Sequence, residues 1–202
     1  MYVQSHSKTM GASKERALPR RRHTLKRSKR PLPLTRAPFD IYVDADACPV
    51  KNEVYRVAIR YRARVYLVTN QSLRIPQKPG LDAKLILVNS GADVADQWIA
   101  DQIKAYDLCV TADLPLAARC VDAQAYVLSP RGKEWSADTV SEALARRDLM
   151  TSLREQDWGG LELPTGGPPP MTDRDRSAFL NTMDRVVQRA LKAPRPDRST
   201  SS

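Results

Sequence analysis

The sequence predicts an α/β protein, a three-layer α/β/α sandwich around a mostly parallel five-stranded sheet, with an additional C-terminal helix. Two observations predict this fold. Short apolar runs typical of buried strands alternate along the chain with segments whose apolar residues recur every three or four positions. Alternating strands and helices are joined by right-handed crossovers, so the strands run parallel and helices cover both faces of the sheet.

The first strand and its helix show this alternation most clearly. In "FDIYVDAD" (39–46), Ile41 and Val43 lie on one face of a strand. Pro49 suits the first turn of the helix that follows. The apolar residues of 49–62 are spaced three and four apart, which predicts a helix with one buried face.

The remaining elements follow in the same order. Further strands are predicted at 64–70, 83–89, 107–113 and 125–130. Further helices are predicted at 92–106, 114–123, 136–156 and 172–192. Pro76, Pro79 and Gly80 indicate that 71–80 is a loop.

The net charge of +10 belongs to the beginning of the chain. Residues 1–38 contain eleven of the 33 Lys and Arg residues and one of the 23 acidic residues, Glu15, so the remaining chain is neutral. The basic tail is either a non-specific nucleic-acid-binding arm or an extension without a function of its own. The predicted organisation is a disordered tail (1–38), an α/β domain (39–157), a Gly/Pro linker (158–171), a C-terminal helix (172–192) and a disordered end (193–202).

Histidine and cysteine limit the possible chemistry. Both histidines, His6 and His23, lie in the tail, which excludes His-based catalysis and His metal sites from the domain. Cys48, Cys109 and Cys120 lack the C-x-x-C spacing of a zinc site, and we expect Cys48 to be a packing residue. No apolar run approaches the roughly 18 residues that a membrane span needs. We therefore expect a cytoplasmic protein with no membrane partner.

Acidic residues gather where the predicted strands end. Asp44 and Asp46 close the first strand in "YVDADACP", and Asp113 follows the fourth in "VTAD". Asp93 and Asp96 share one face of the helix after the third strand. In a parallel sheet these positions meet at one edge, where ligands bind. Each acid alone could cap a helix or open a turn. Together they would repel one another without a cation, and oxygen ligands favour Mg²⁺ or Mn²⁺. Such ions serve the hydrolysis of phosphate esters and phosphodiesters.

Polar and basic side chains follow two strands at the same predicted edge. Asn70, Ser72 and Arg74 lie in "TNQSLR" after the second strand, and Arg131 lies in "SPRGK" after the fifth. Arginine presents a fork of donors that matches phosphate oxygens. These residues are candidates for binding substrate phosphates, and an ordinary polar loop remains the alternative.

Several motifs together resemble the YaiI/YqxD family of bacterial proteins. They are, in chain order, "VDADACP", "TNQSLRIP", "GADVADQWI", "VTADLPLA", "SPRGK", "RRDLM" and "TGGPPPMTDRDRSAF". The resemblance runs from about Phe39 to Leu191, and the basic tail is not typical of the family. The family looks like a member of the PIN-like nuclease group. The resemblance implies a metal site in which Asp44, Asp93 or Asp96, and Asp113 hold Mg²⁺ or Mn²⁺ for cleavage of RNA or DNA.

The leading hypothesis is thus a nuclease that depends on Mg²⁺ or Mn²⁺ and acts preferentially on RNA. Asp44, Asp96 and Asp113 would ligate the metal, and Asp93 or Asp46 would position or deprotonate the attacking water. A second hypothesis is a phosphatase of the haloacid dehalogenase type, with Asp44 as nucleophile and Asp46 as general acid. A third is a metal- or RNA-binding module without catalysis.

Overall fold

The computed structural model describes Met1 and residues 35–46, 48–91, 93–155 and 169–194. The chain divides into two units, Met1–Pro31 and Leu32–Ser202, and every element below belongs to the second. Most of the predicted tail, most of the predicted linker and the last residues lie outside the described residues. They are 2–34, 156–168 and 195–202.

One sheet contains all the strands of the described ranges. They are β1 (Asp40–Asp44), β2 (Arg64–Thr69), β3 (Asp82–Leu87), β4 (Leu108–Val110), β5 (Tyr126–Leu128) and β6 (Glu134–Trp135). The order is β3-β2-β1-β4-β5-β6; the first five strands are parallel, and β6 is antiparallel to β5. The predicted fold is confirmed, with one strand more than predicted. The two residues of β6 are too few to show an alternating pattern in the sequence.

Helices cover both faces of the sheet and complete the three layers. They are α1 (Lys51–Tyr61), α2 (Val94–Gln102), α3 (Leu114–Asp122), α4 (Ala137–Glu155) and α5 (Asp173–Lys192). Ile41 and Val43 of β1 are buried in one core together with α1 and α5. Tyr42 is buried on the opposite face, in a second core with α2, α3 and α4. Successive β1 residues therefore pack into different layers, as the pleat of a strand requires.

The C-terminal helix α5 is an integral part of the first core. Phe179, Met183 and Val186 on its inner face are fully buried. Asp184 fastens the helix to α1, where its Oδ1 accepts hydrogen bonds from Tyr61 Oη at 2.7 Å and from Arg60 at 2.8 Å. The sequence left open whether this helix packs on its own domain, and the structure shows that it does.

The turn between β5 and β6 lies directly against α5. Gly132 has a φ of +80°, and a Cβ placed on it would lie 3.0 Å from the backbone nitrogen and Cα of Phe179. Only glycine combines this left-handed conformation with so close an approach. Arg131 contributes from the same turn, since it pairs with Asp175 at 3.6 Å and donates to the carbonyl oxygen of Pro169. The turn thus holds the beginning of α5 in place.

Candidate functional site

A cleft of about 250 Å³ lies at the carboxyl ends of the parallel strands, and we call it the acidic cleft. Its lining residues are Asp44, Asp46, Asn70, Gly91, Asp93, Ala95, Asp96 and Asp113. The structure thus brings together all five acids singled out in the sequence, along with Asn70. No Lys, Arg or His of the described ranges belongs to the lining, so the carboxylates have no cationic side chain among them.

Three other candidate residues lie elsewhere. Ser72 and Arg74 are exposed in the segment that connects β2 to β3, and they do not line the acidic cleft. Arg131 is engaged with Asp175 and Pro169 near the start of α5. Of the four predicted phosphate-binding residues, only Asn70 therefore borders the carboxylates.

Asp44 ends the central strand and is almost completely buried, with 9% of its surface exposed. Its Oδ2 accepts a hydrogen bond of 3.1 Å from the hydroxyl of Thr111, which follows the neighbouring strand β4. Burial raises the pKa of Asp44, and repulsion from Asp46 and Asp113 raises it further. The Thr111 hydrogen bond acts against this increase because it stabilises the charged form.

Asp46 is exposed and belongs to the turn that follows β1. It accepts a hydrogen bond from the hydroxyl of Thr69 at the end of β2, and its Oδ2 lies 3.4 Å from the backbone nitrogen of Asn70. The N-cap of α1 is Val50, so Asp46 is not the cap of that helix. Its carboxylate is oriented by β2 instead, toward the acidic cleft.

Thr69 is the last residue of β2, and Thr111 directly follows β4, so a threonine lies at the end of each strand that flanks β1. Both are buried, and each hydroxyl accepts a 3.0 Å hydrogen bond from the backbone nitrogen two residues further on. Because a hydroxyl has one proton, each threonine is left to donate that proton to an aspartate: Thr69 to Asp46, and Thr111 to Asp44. Neither threonine was among the residues predicted from the sequence. The sequence feature that could have identified them is a threonine at the end of each strand that neighbours the strand ending in "DAD".

The first turn of α2 supplies two more carboxylates. Asp93 is at the N-cap position with a left-handed backbone (φ 61°, ψ 4°), but its side chain makes no capping hydrogen bond. Helix capping therefore does not account for this acid. Asp96 lies one turn further along, where burial and repulsion from Asp113, Asp44 and Asp93 raise its pKa to about 6. Arg119 of α3 opposes that increase.

Asp113 does have a capping role. Its Oδ1 accepts a 2.8 Å hydrogen bond from the backbone nitrogen of Leu116, which makes it the N-cap of α3. The Asp113 backbone nitrogen also donates to Thr111, the residue that binds Asp44. Asp113 and Asp44 are therefore linked through a single threonine.

The donor set has the chemistry of a hard-cation site, because every charged group in the lining is a carboxylate. Over the described ranges, however, no three His, Cys, Asp or Glu side chains are grouped so that they could hold a metal ion as they stand. Asp44, Asp46 and Asp113 are each hydrogen-bonded to a donor of the surrounding strands and helices.

Asp96 is expected to make the metal-free protein less stable as the pH rises from about 4 to about 6. Asp96 has an unfolded pKa near 3.9 and a folded pKa of about 6, so the folded state binds the proton more tightly. Its contribution to stability is complete below pH 4 and is lost as the pH rises through 6. We expect a loss of about 1 kcal/mol, allowing for solvent screening of a partly exposed group.

Urea unfolding of wild type and Asp96→Asn in chelator between pH 4 and 7 measures this effect. The two proteins should be similar at pH 4, and the variant should be the more stable at pH 7. Asp101→Asn, which changes an exposed acid on the same helix, should show no such divergence. A difference between wild type and Asp96→Asn that stays constant over this pH range would contradict the prediction.

The three cysteines are free and buried. Burial raises the pKa of Cys48 to about 11, so the thiol is protonated at neutral pH and behaves as a packing residue. No helix within the described ranges is sufficiently long and apolar to cross a membrane.

The fold and the site define a class of protein: an α/β protein whose mostly parallel sheet has an acid-lined cleft at its carboxyl edge. The chain belongs to the YaiI/YqxD family, whose sequence model, described as "Uncharacterized BCR, YaiI/YqxD family", matches residues 42–189. The resemblance seen in the sequence motifs is thereby confirmed.

Individual relatives match most of the chain. A UPF0178 protein of Azorhizobium caulinodans is 47% identical over 166 residues, which cover 82% of this chain and 97% of that protein. A UPF0178 protein of Rhodopseudomonas palustris (strain HaA2) is 48% identical over 161 residues, covering 79% and 94%. Another, of Paramagnetospirillum magneticum, is 47% identical over 150 residues, covering 74% and 95%. No solved structure matches the chain.

Proposed function

We propose that this protein is a hydrolase of phosphodiester bonds that depends on Mg²⁺ or Mn²⁺, with RNA as its favoured substrate. The observation that carries the proposal is the convergence of five carboxylates in one small cleft, where no basic residue of the described ranges is part of the lining. Two of these acids, Asp44 and Asp96, have raised pKa values, partly because the acids repel one another. A bound divalent cation would remove that repulsion.

The residues that would hold the metal are Asp44, Asp96 and Asp113, each from a different element around the acidic cleft. A bound Mg²⁺ or Mn²⁺ polarises a phosphoryl oxygen and lowers the pKa of water. Thr111 would keep the Asp44 carboxylate oriented through its hydrogen bond. The buried position of Asp44 supports its role, because charge interactions are stronger where water is excluded.

The remaining polar groups would act on the substrate and on water. Asp93 makes no capping hydrogen bond, so its carboxylate is available to accept a proton from the attacking water. Asp46, oriented by Thr69, is the other candidate for this role. Asn70 can donate from its side-chain amide to a phosphate oxygen at the cleft. The preference for RNA rests on the resemblance to PIN-like nucleases.

The more distant candidates would contact phosphates outside the cleft. Ser72 and Arg74 are exposed in the segment after β2, and they follow Asn70 closely in the chain. Arg131 would first have to release Asp175 and the Pro169 carbonyl. We therefore expect substitution of Arg74 to weaken substrate binding more than substitution of Arg131.

The proposal is tested with the full chain and labelled single-stranded RNA in Mn²⁺, in Mg²⁺ and in chelator. Metal-dependent cleavage is expected in the wild type and should be absent from the double variant Asp44→Asn with Asp113→Asn. Asp122→Asn, a change of an acid at the far end of α3, should leave cleavage unchanged. The basic tail is present in all three proteins, so non-specific RNA binding does not separate them.

Metal binding has a readout of its own in the unfolding temperature. Saturating Mn²⁺, at about a hundred times its dissociation constant, should stabilise the wild type by about 2.7 kcal/mol and the double variant far less. Cleavage that survives the double substitution would overturn the proposal. So would an unfolding temperature that is the same in millimolar Mn²⁺ and in chelator.

The phosphatase and the non-catalytic binding module remain alternatives for the same site. The phosphatase uses a lysine to hold the phosphate, and Lys51, Lys84 and Lys133 do not line the acidic cleft. A metal-fluoride complex that binds Asp44 as a mimic of phosphoaspartate would favour the phosphatase. Stabilisation by Mn²⁺ without hydrolysis of any substrate would favour the binding module.

A further inference from the structure

A second groove, of about 460 Å³, adjoins the acidic cleft, and we call it the tryptophan groove. Its lining residues are Val88, Asp93, Val94, Gln97, Trp98 and Asp101. Asp93 lines both the groove and the acidic cleft, so the two form one continuous surface along α2. A ligand that lies in the acidic cleft can therefore extend into the groove.

The apolar part of the groove is built around Trp98. This side chain is half-buried, and its ring packs against Tyr42 and Tyr66 with centroid distances of 6.3 and 6.2 Å. The two tyrosines stack on each other at 5.1 Å, so the indole packs against a pair of aromatic rings. Val88 and Val94 add aliphatic surface beside the indole. Trp98 is the aromatic residue of the lining, and the groove is large enough to admit a flat heterocycle beside the indole.

The polar part of the groove is arranged to accept hydrogen bonds. Arg119 donates to Gln97 Oε1 at 2.8 Å, and Gln97 Nε2 donates to Asp101 Oδ1 at 2.7 Å. This chain of hydrogen bonds orients the Asp101 carboxylate, which accepts but cannot donate when ionised. With Asp93, the groove has two carboxylates, and no basic residue of the described ranges lines it. It therefore repels phosphate and suits a neutral group that carries N–H donors.

We propose that the tryptophan groove binds an unpaired nucleobase, guanine in preference to uracil, next to the phosphodiester in the acidic cleft. The base would stack on Trp98, as bases of single strands stack on aromatic side chains. Guanine presents two adjacent donors, N1–H and the N2 amino group, which match the two oxygens of one carboxylate. Uracil has a single N–H between two carbonyl oxygens, and these would face the carboxylate unfavourably. The role of this base in catalysis rests on the proposed function, whereas its binding does not.

Binding of the free nucleosides tests the groove without phosphate, metal or cleavage. The full chain is titrated with guanosine and with uridine in chelator, and binding is followed by calorimetry and by tryptophan fluorescence. Guanosine should bind about tenfold or more tightly than uridine. Trp98→Ala should weaken guanosine binding about tenfold to a hundredfold, the range expected for a lost stacking contact.

Three further variants separate binding from folding. Trp98→Phe keeps an aromatic ring and should retain most of the affinity, even if Trp98→Ala perturbs the fold. Asp101→Asn should abolish the preference for guanosine but leave stacking. Trp135→Phe, in β6 where Lys133 lies over the ring at 3.9 Å, should leave binding unchanged.

The outcomes distinguish this inference from the proposed nuclease. Guanosine binding in a protein that cleaves no RNA would support the groove and count against the nuclease. Metal-dependent cleavage with no guanosine binding would overturn the groove and leave the nuclease standing. Equal affinity for guanosine and uridine would also overturn the inference, as would guanosine binding that is unchanged in both Trp98→Ala and Asp101→Asn.

Discussion

Asp44→Asn is expected to lower metal-dependent cleavage at least about a thousandfold and, at the same time, to stabilise the metal-free protein. Removing a proposed metal ligand should cost about 4 kcal/mol of transition-state stabilisation, which corresponds to that factor. The gain in stability comes from the removal of a buried charge that neighbouring acids repel. The Asp44 charge is buried beside Asp46 and Asp113, which raises its pKa and destabilises the ionised folded state. Asparagine keeps the shape and removes the charge.

The variant should therefore unfold at a higher temperature than the wild type at pH 7 when no metal is bound. Because a raised pKa is involved, the difference from wild type should vanish as the pH falls and Asp44 becomes protonated. Thermal unfolding in chelator and in Mn²⁺ measures both effects. The variant should have the higher unfolding temperature in chelator, and the wild type should have the higher one in saturating Mn²⁺. An Asp44→Asn protein that is less stable than wild type in chelator at pH 7 would contradict this explanation.

Phe179→Ala is expected to destabilise the protein by about 3–5 kcal/mol, a large effect for a single truncation. Phe179 is fully buried on α5, and its backbone lies against Gly132 in the turn before β6. The neighbouring backbone cannot collapse into the cavity without straining that turn. The loss corresponds to a fall of roughly 10 °C in the unfolding temperature.

Urea unfolding in chelator measures the free energy directly, and Leu191→Ala is the matched control. Leu191 lies on the same helix and is 40% exposed, so its truncation should cost within about 0.5 kcal/mol. A similar small cost for Phe179→Ala would show that α5 contributes little to the core.

The packing of α5 also involves the segment that follows the acids at the end of β1. Arg176, in the first turn of α5, donates to the Pro49 carbonyl oxygen at 2.9 Å and lies 3.5 Å from the buried Glu53. Both partners follow closely after Asp44 and Asp46 in the chain. Loosening α5 is therefore expected to affect the segment that carries the acids as well as the core.

The predictions that succeeded from sequence depend on local patterns. Apolar runs alternating with three- and four-residue spacing are sufficient to predict parallel strands, and parallel strands bring their carboxyl ends to one edge. For this reason the sequence alone is enough to predict that Asp44, Asp46 and Asp113 lie together. Asp93 and Asp96 could be added to this group because α2 follows β3, which places the first turn of the helix at the same edge of the sheet.

The predictions that fell short depend on contacts between distant parts of the chain. Arg131 and Asn70 both follow strands at the same edge, yet only Asn70 borders the acids, because Asp175 of α5 engages Arg131. The two residues of β6 become a strand only because β5 provides hydrogen-bonding partners. Neither outcome leaves a periodic signal in the sequence.

Local patterns in the sequence are sufficient to predict the class of fold and the set of acids, because burial periodicity and the succession of strands and helices are encoded locally. The contacts that each carboxylate makes depend on the tertiary structure. Thr111 binds Asp44 from 67 residues away, and Thr69 binds Asp46 from 23 residues away. Capping engages Asp113 but leaves Asp93 without such a bond. Hydrogen bonds and pKa values depend on which groups meet in space, and only the folded chain brings these groups together.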